Sequence, residues 1–342
     1  MVAALRPCAL LAALAVSGAL AAFDPYVAGP YTAGHLLIGA ASQTGLPTDV
    51  SVYVPDGAAG AFPVIIFLTE FQDTVPAEIQ EVMLQRVASH GFLVITPWSL
   101  TESGGPTERA IQLVDVMAWI HSTLPDYITQ NGFPGAVPDF ERTTLLAHSA
   151  GSHVAVSYLE GFCEQETSVK SLILMSPVDG FDPFGIVDEF CIVPGQRVNF
   201  TLPALVLTAG LDAEKGSLLY PACAPADLSN DRFYNAFYAP RWQINATQYG
   251  HGDFLDDEFW ALIKDTKFCA FCSEEDCANR AGYRDYQAGQ IVSFAMASTD
   301  PAGHCDQLQY IEDPALMPVA TVIRNNRPDD VCSRFMAGCA RP

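Results

Sequence analysis

The sequence predicts a doubly wound α/β fold, on two observations. Short apolar runs alternate with amphipathic stretches along most of its 342 residues, the pattern of a sheet covered by helices on both faces. Several runs, Val64-Ile65-Ile66-Phe67-Leu68 and Leu205-Val206-Leu207 among them, are apolar without interruption, as strands buried on both faces are. Taken in order, the short apolar runs place strands at Asp49–Val54, Pro63–Thr69, Phe92–Thr96, Thr143–His148, Ser171–Ser176, Pro203–Thr208 and Trp242–Gln248. Amphipathic spacing places helices between several of them, at Ala77–His90, Thr107–Ser122, Ser152–Glu160 and Asp256–Lys264, and one more follows at Arg284–Ser298. Two long connections, Val178–Leu202 and Asp212–Arg241, are rich in Pro, Asp and aromatic residues. Each leaves a strand at its carboxyl end, where open α/β sheets bind ligands, and loops of that length on such a scaffold are usually functional.

Half of the residues are hydrophobic and 16% are charged, a globular composition. With 17 Lys and Arg against 39 Asp and Glu the net charge is -22, which excludes sequence-independent nucleic-acid binding and a polybasic membrane anchor. Residues 1–21 read as a secretory signal peptide: Arg6, an apolar run through Leu14 and Val16, then the small-residue site Ala19-Leu20-Ala21. That run is too short for a spanning helix, and no other stretch is long and apolar enough. The expected location is therefore extracellular. Cys8 leaves with the leader and nine of the ten cysteines remain. In an oxidising compartment they read as disulfides, with one left free or paired to another chain. Cys269, Cys272 and Cys277 lack the second ligand pair that a zinc site needs, so no metal is expected. Asn199-Phe-Thr201 and Asn245-Ala-Thr247 are glycosylation acceptors.

The chemistry concentrates at Thr143 to Val156, where a strand runs into a small-residue turn at Ser149 and then a helix. This is the context of a nucleophile elbow. Ala147 and Gly151 keep the turn tight, and the amide of Ala150 at the helix start can donate to an oxyanion. Among seven histidines, only His251 follows a late strand in a Gly-flanked turn, as the base of such a serine must. Two acids suit the third place. Asp212 lies in the turn after Pro203–Thr208, and Asp179 lies three residues past Ser171–Ser176; Asp212 is favoured. The second oxyanion amide is expected after Val64–Leu68, at Phe71. The order Ser, Asp, His is that of the α/β-hydrolases. No cofactor is needed.

At these residues the chain resembles the chlorophyllases, secreted or plastid α/β-hydrolases that cleave the phytyl ester of chlorophyll. The likeness runs from about Tyr53 to Ser298. Its strongest pieces are Ala88-Ser-His-Gly-Phe92, His148-Ser149, Pro221-Ala-Cys-Ala-Pro225 with Phe233-Tyr234, and Tyr249-Gly-His-Gly-Asp-Phe-Leu-Asp-Asp257. The resemblance implies Ser149 as nucleophile and His251 as base. Three departures stand out. Family Gly-His-Ser-Arg-Gly-Gly is Ala147-His-Ser-Ala-Gly-Ser152, and the usual His-Gly before the oxyanion phenylalanine is Thr69-Glu70. The family's charge-relay Asp is Ser176, whereas a position after the next strand, commonly Gly in the plant enzymes, is Asp212. The acid has then moved one strand along, with Asp179 beside the original site as the other choice.

These readings give three regions: the leader, an α/β-hydrolase catalytic domain over residues 22–300, and a Cys-containing tail over residues 301–342. The expected function is a secreted serine esterase of the chlorophyllase kind acting on a hydrophobic ester. The alternatives are a broader carboxylesterase or lipase, and a non-catalytic hydrolase-like binding protein. An apolar cleft for a phytyl or other long alcohol is expected to draw on Trp98, Phe181, Phe184 and Phe190. Nothing in the sequence sets the oligomeric state.

Overall fold

Nine strands form one sheet: β1 (Thr32–Ile38), β2 (Asp49–Asp56), β3 (Gly60–Leu68), β4 (Leu93–Trp98), β5 (Ala136–His148), β6 (Val169–Met175), β7 (Ala204–Ala209), β8 (Arg241–Ala246) and β9 (Thr321–Asn326). They lie in the order β1-β2-β4-β3-β5-β6-β7-β8-β9. From β4 to β8 every pairing is parallel, while β1, β2 and β9 join antiparallel at the edges. The computed structural model describes residues 23–57, 59–100, 104–180, 189–335 and 337–342, so the expected leader, Phe181 and Phe184 lie outside the described residues.

Eight helices carry the description: α1 (Glu70–Asp73), α2 (Glu81–Ser89), α3 (Pro106–Gln130), α4 (Gly151–Phe162), α5 (Asp231–Ala236), α6 (Asp257–Thr266), α7 (Glu274–Cys277) and α8 (Arg280–Thr299). One face of the sheet is covered by α3 and α4 through Leu113, Val116, Ile120, Val154 and Leu159. The other is covered by α2 and α8 through Leu84, Val87, Ile291, Val292 and Phe294. Burial on both sides is why the central strands read as unbroken apolar runs.

Two features differ from expectation. Helix α3 does not stop at Ser122 but runs through Pro125 to Gln130. Leu124 and Ile128 beyond the expected end are fully buried, and that packing offsets the roughly 3 kcal/mol an interior proline costs. Strands β1 and β9 were not expected; both are edge strands with partly exposed residues. Residues 301–342, expected as a Cys-containing tail, supply β9, which pairs with β8. Trp242 of β8 packs on Phe294 and Phe335 and donates its indole N–H to Glu312 at 2.9 Å.

Four disulfides join Cys163 to Cys339, Cys223 to Cys269, Cys272 to Cys277 and Cys305 to Cys332. Cys191 is the unpaired cysteine among the described residues.

Candidate active site

Ser149 follows β5 directly and takes a left-handed φ of 53°, the strained turn that lifts a hydroxyl above the sheet. Its amide donates to Met175 O on neighbouring β6. Gly151 explains the small residues: a Cβ there would lie 2.4 Å from Thr69 O and 2.7 Å from Leu68 O. The helix opening at Ala150 is thus pressed against the end of β3.

Sheet register brings the partners in. Ala209 of β7 pairs with Ala246 of β8, so the turns holding Asp212 and His251 emerge side by side. His251 Nε2 lies 2.8 Å from Ser149 Oγ, and its Nδ1 lies 3.3 Å from Asp212 Oδ1. With the serine donating to Nε2, Nδ1 carries the proton and donates to the carboxylate. Asp212 is 1% exposed, and its other oxygen accepts from Ala209 N and Asn230 Nδ2 at 3.0 and 2.9 Å. The turn of His251 is held by Asp253, which accepts from Gly250 N, Cys272 N and Trp260 Nε1. Burial raises its pKa. The Gly-His-Gly-Asp string is therefore a carboxylate-braced turn.

Asp179 is not part of this chain of contacts. Fully buried, it forms ion pairs with His153 Nδ1 at 3.0 Å and Arg232 Nε at 2.7 Å and accepts from the amides of Cys191 and Ile192. Burial works to raise its pKa, but His153 and the Cys191 backbone outweigh it and hold the carboxyl below its usual range. Burial and Asp179 push the Cys191 thiol well up, which leaves it a poor nucleophile.

In front of Ser149 lies a cavity of about 370 Å³ lined by Tyr220, Leu255, Phe259, Ile263, Phe268 and Phe271, with Phe71 and Ala150 at the serine. Phe71 has a left-handed φ of 50° and rests against Phe268. Trp98, expected in the cleft, is buried at the end of β4 with its indole N–H donated to Ser51 Oγ at 2.9 Å, and it does not line the cavity. Its hydrogen bond and core packing spend the aromatic on stability. Phe190 is exposed and sits under the Arg232 guanidinium, also away from the cavity. The described wall residues were not among those expected from the sequence. Their one local signal is the spacing of Phe259, Ile263 and Thr266 along a single face of α6. Asn199 is exposed, whereas Asn245 is half-buried in β8 between β7 and β9.

Glu70, which heads α1, also lines the cavity. Its Oε2 lies 3.0 Å from His148 Nδ1, and the His148 ring lies 4.8 Å from the His251 ring. Burial keeps His148 below its ordinary pKa despite Glu70. Burial also works to raise Glu70, yet its hydrogen bond to His148 outweighs this and lowers it. The pair is thus a neutral imidazole donating to an ionised carboxylate.

A mostly parallel sheet with helices on both faces, and a serine elbow with a histidine after the last parallel strand, define an α/β-hydrolase. The chain belongs to the chlorophyllase family, whose family model matches residues 21–325. It is 26% identical to Chlorophyllase-1 of Arabidopsis thaliana over 81% of this chain and 83% of the relative. It is also 26% identical to the chloroplastic Chlorophyllase-1 of Citrus unshiu over 88% of each chain. Chlorophyllase-2 of Arabidopsis thaliana matches at 26% over 70% of this chain and 74% of its own.

Proposed function

We propose that this chain is a serine carboxylic ester hydrolase that cleaves the phytyl ester of chlorophyll, or a closely similar apolar ester, through an acyl-enzyme. The observation that carries the reading is the run Ser149 Oγ, His251 Nε2 at 2.8 Å and Asp212 Oδ1 at 3.3 Å, opening on an apolar cavity. Ser149 Oγ attacks the ester carbonyl while His251 Nε2 takes its proton, and Asp212 orients the imidazole and stabilises its charged form. The amides of Phe71 and Ala150 hold the oxyanion, each typically worth about 2.7–4 kcal/mol. His251 returns the proton to the leaving alcohol, and water then releases the acid by the reverse sequence. The cavity shelters the long apolar chain of the ester.

The four disulfides support passage through an oxidising compartment, so the protein is read as exported behind residues 1–21 and glycosylated at Asn199 and, where accessible during folding, Asn245. Incubation with chlorophyll should yield chlorophyllide and phytol, and Ser149→Ala should abolish this. A wild-type chain labelled by a fluorophosphonate yet inert to chlorophyll would favour the broader carboxylesterase reading. The changed residues around the nucleophile, Glu70 and Ala150, give that reading its support. A folded chain that takes no label would be a binding protein.

A further inference from the structure

We propose that Glu70 and His148 act as a positioning pair for the base, placing a second carboxylate behind His251 and tying the oxyanion turn to the nucleophile elbow. The inference rests on the serine-hydrolase reading above and concerns how its base is tuned. Leu68 of β3 pairs with Ala147 of β5, so the residues just beyond, Glu70 and His148, meet across the sheet ends. One hydrogen bond of 3.0 Å thereby links the turn bearing Phe71 to the residue before Ser149. The His148 ring touches both Glu70 and the base, tilted 36° to His251 at 4.8 Å, and it also meets Phe254 edge-on. Both members are nearly inaccessible, at 6% and 1% exposure.

An ionised carboxylate in such a place costs desolvation unless something answers it. What offsets burial of Glu70 is His148, its own backbone and the positive form of His251. Attraction between two charges is mutual, so Glu70 favours the imidazolium that forms when Ser149 attacks. His251 would then face Asp212 edge-on at Nδ1 and a second negative charge through the His148 ring. Among the neighbouring ionisable groups, Asp253 braces the turn of His251 and accepts from Arg280 through its carbonyl, Tyr283 on α8 lies near Asp212, and Asp73 on α1 lies near Glu70 and Arg109.

The test is the pH dependence of kcat and KM on a chromogenic ester, with fluorophosphonate labelling of Ser149 as the readout of a competent fold. Because Asp73 titrates at about 7, the comparison is made in an Asp73→Asn background. Glu70→Gln removes the second negative charge facing the imidazolium that forms on attack. The acid limb of kcat/KM should therefore move down by at least about half a pH unit, with kcat lowered roughly tenfold and KM within about twofold. Glu70→Asp, which keeps the charge, should keep the limb where it is. His148→Leu, which removes the donor that keeps the buried Glu70 ionised, should move the limb as Glu70→Gln does and serves if the latter does not fold. A limb unmoved in Glu70→Gln or His148→Leu overturns the inference even if kcat falls, since a merely structural role lowers rate without retuning the base. If wild type itself takes no label at Ser149, the underlying hydrolase reading fails, which is a separate result from a labelled enzyme with an unmoved limb.

Discussion

Asp212 and Asp179 show what a sequence does and does not say about a single side chain. Both are acids in turns beyond parallel strands, and both are buried; only the register of β7 with β8 sets one beside His251. The consequences of losing each differ. Asp212→Asn keeps the shape but removes the charge that orients the imidazole, so kcat should fall by roughly 10⁴-fold, the size typical of a lost triad acid, with little change in melting temperature. Asp179→Asn should leave kcat within about threefold while lowering the melting temperature, because Arg232 loses its 2.7 Å partner. Stranding a buried charge typically costs about 3–5 kcal/mol. Ester kinetics and thermal unfolding on the two variants decide this, and a collapse of kcat in Asp179→Asn alone would reverse the assignment. Ser149 and His251 were legible because strand-turn-helix and Gly-flanked turn are local patterns. Glu70 was visible only as an odd residue before Phe71, since its meaning depends on a contact across two strands.

The single turn α1 is the most constrained element of the site. Phe71 and Asp73 both take left-handed backbone values, and Gly151 of α4 presses on the carbonyls of Leu68 and Thr69 that lead into it. Gly151→Ala must push the start of α4 away from the turn that carries Phe71. It should destabilise by roughly 1–3 kcal/mol and slow fluorophosphonate labelling more than it lowers folded yield. Asp73 gives the same element a pH signature. Burial raises its carboxyl from 3.8 to about 7, so between these values the folded chain holds a proton that the unfolded chain has released. Stability therefore falls as pH rises across that window. Asp73→Asn removes the proton difference and should raise the melting temperature more at pH 8 than at pH 5, measured by circular dichroism. Parallel curves for the two proteins would show that the group titrates normally. Central elements such as β3 and β7 were legible because burial on both faces demands unbroken apolar runs. The edge strands β1 and β9 were not, since half-exposed edges need no such pattern, and α3 outlasted its proline through contacts made far away in sequence.

Taken as a whole, the molecule combines a strongly acidic chain, with a net charge of -22, and an apolar cavity whose walls come from the loop after β7, from α6 and from Phe268, Cys269 and Phe271 just beyond it. Those walls were illegible because they are assembled by folding and by the Cys223–Cys269 link, while the alternation that gives the fold class runs along the chain itself. The same reasoning applies to residues 301–342. They supply β9, which covers the edge of β8, and they carry Phe335 and Glu312 against Trp242. Cys339 returns to Cys163 at the end of α4 across a separation of 176 residues. A chain ending at residue 300 would expose the β8 edge and the Trp242 face together, and open edges and apolar faces invite association. It should be recovered as aggregate without Ser149 labelling. Cys339→Ala loses only the cross-link, whose effect is chiefly on the unfolded chain. It should stay soluble and labelled, with stability reduced by about 2–5 kcal/mol in chemical denaturation. A soluble, labelled product from residues 22–300 would show that the last strand is an accessory. Aggregation of that product beside a folded Cys339→Ala would assign the requirement to strand pairing and packing, not to the disulfide.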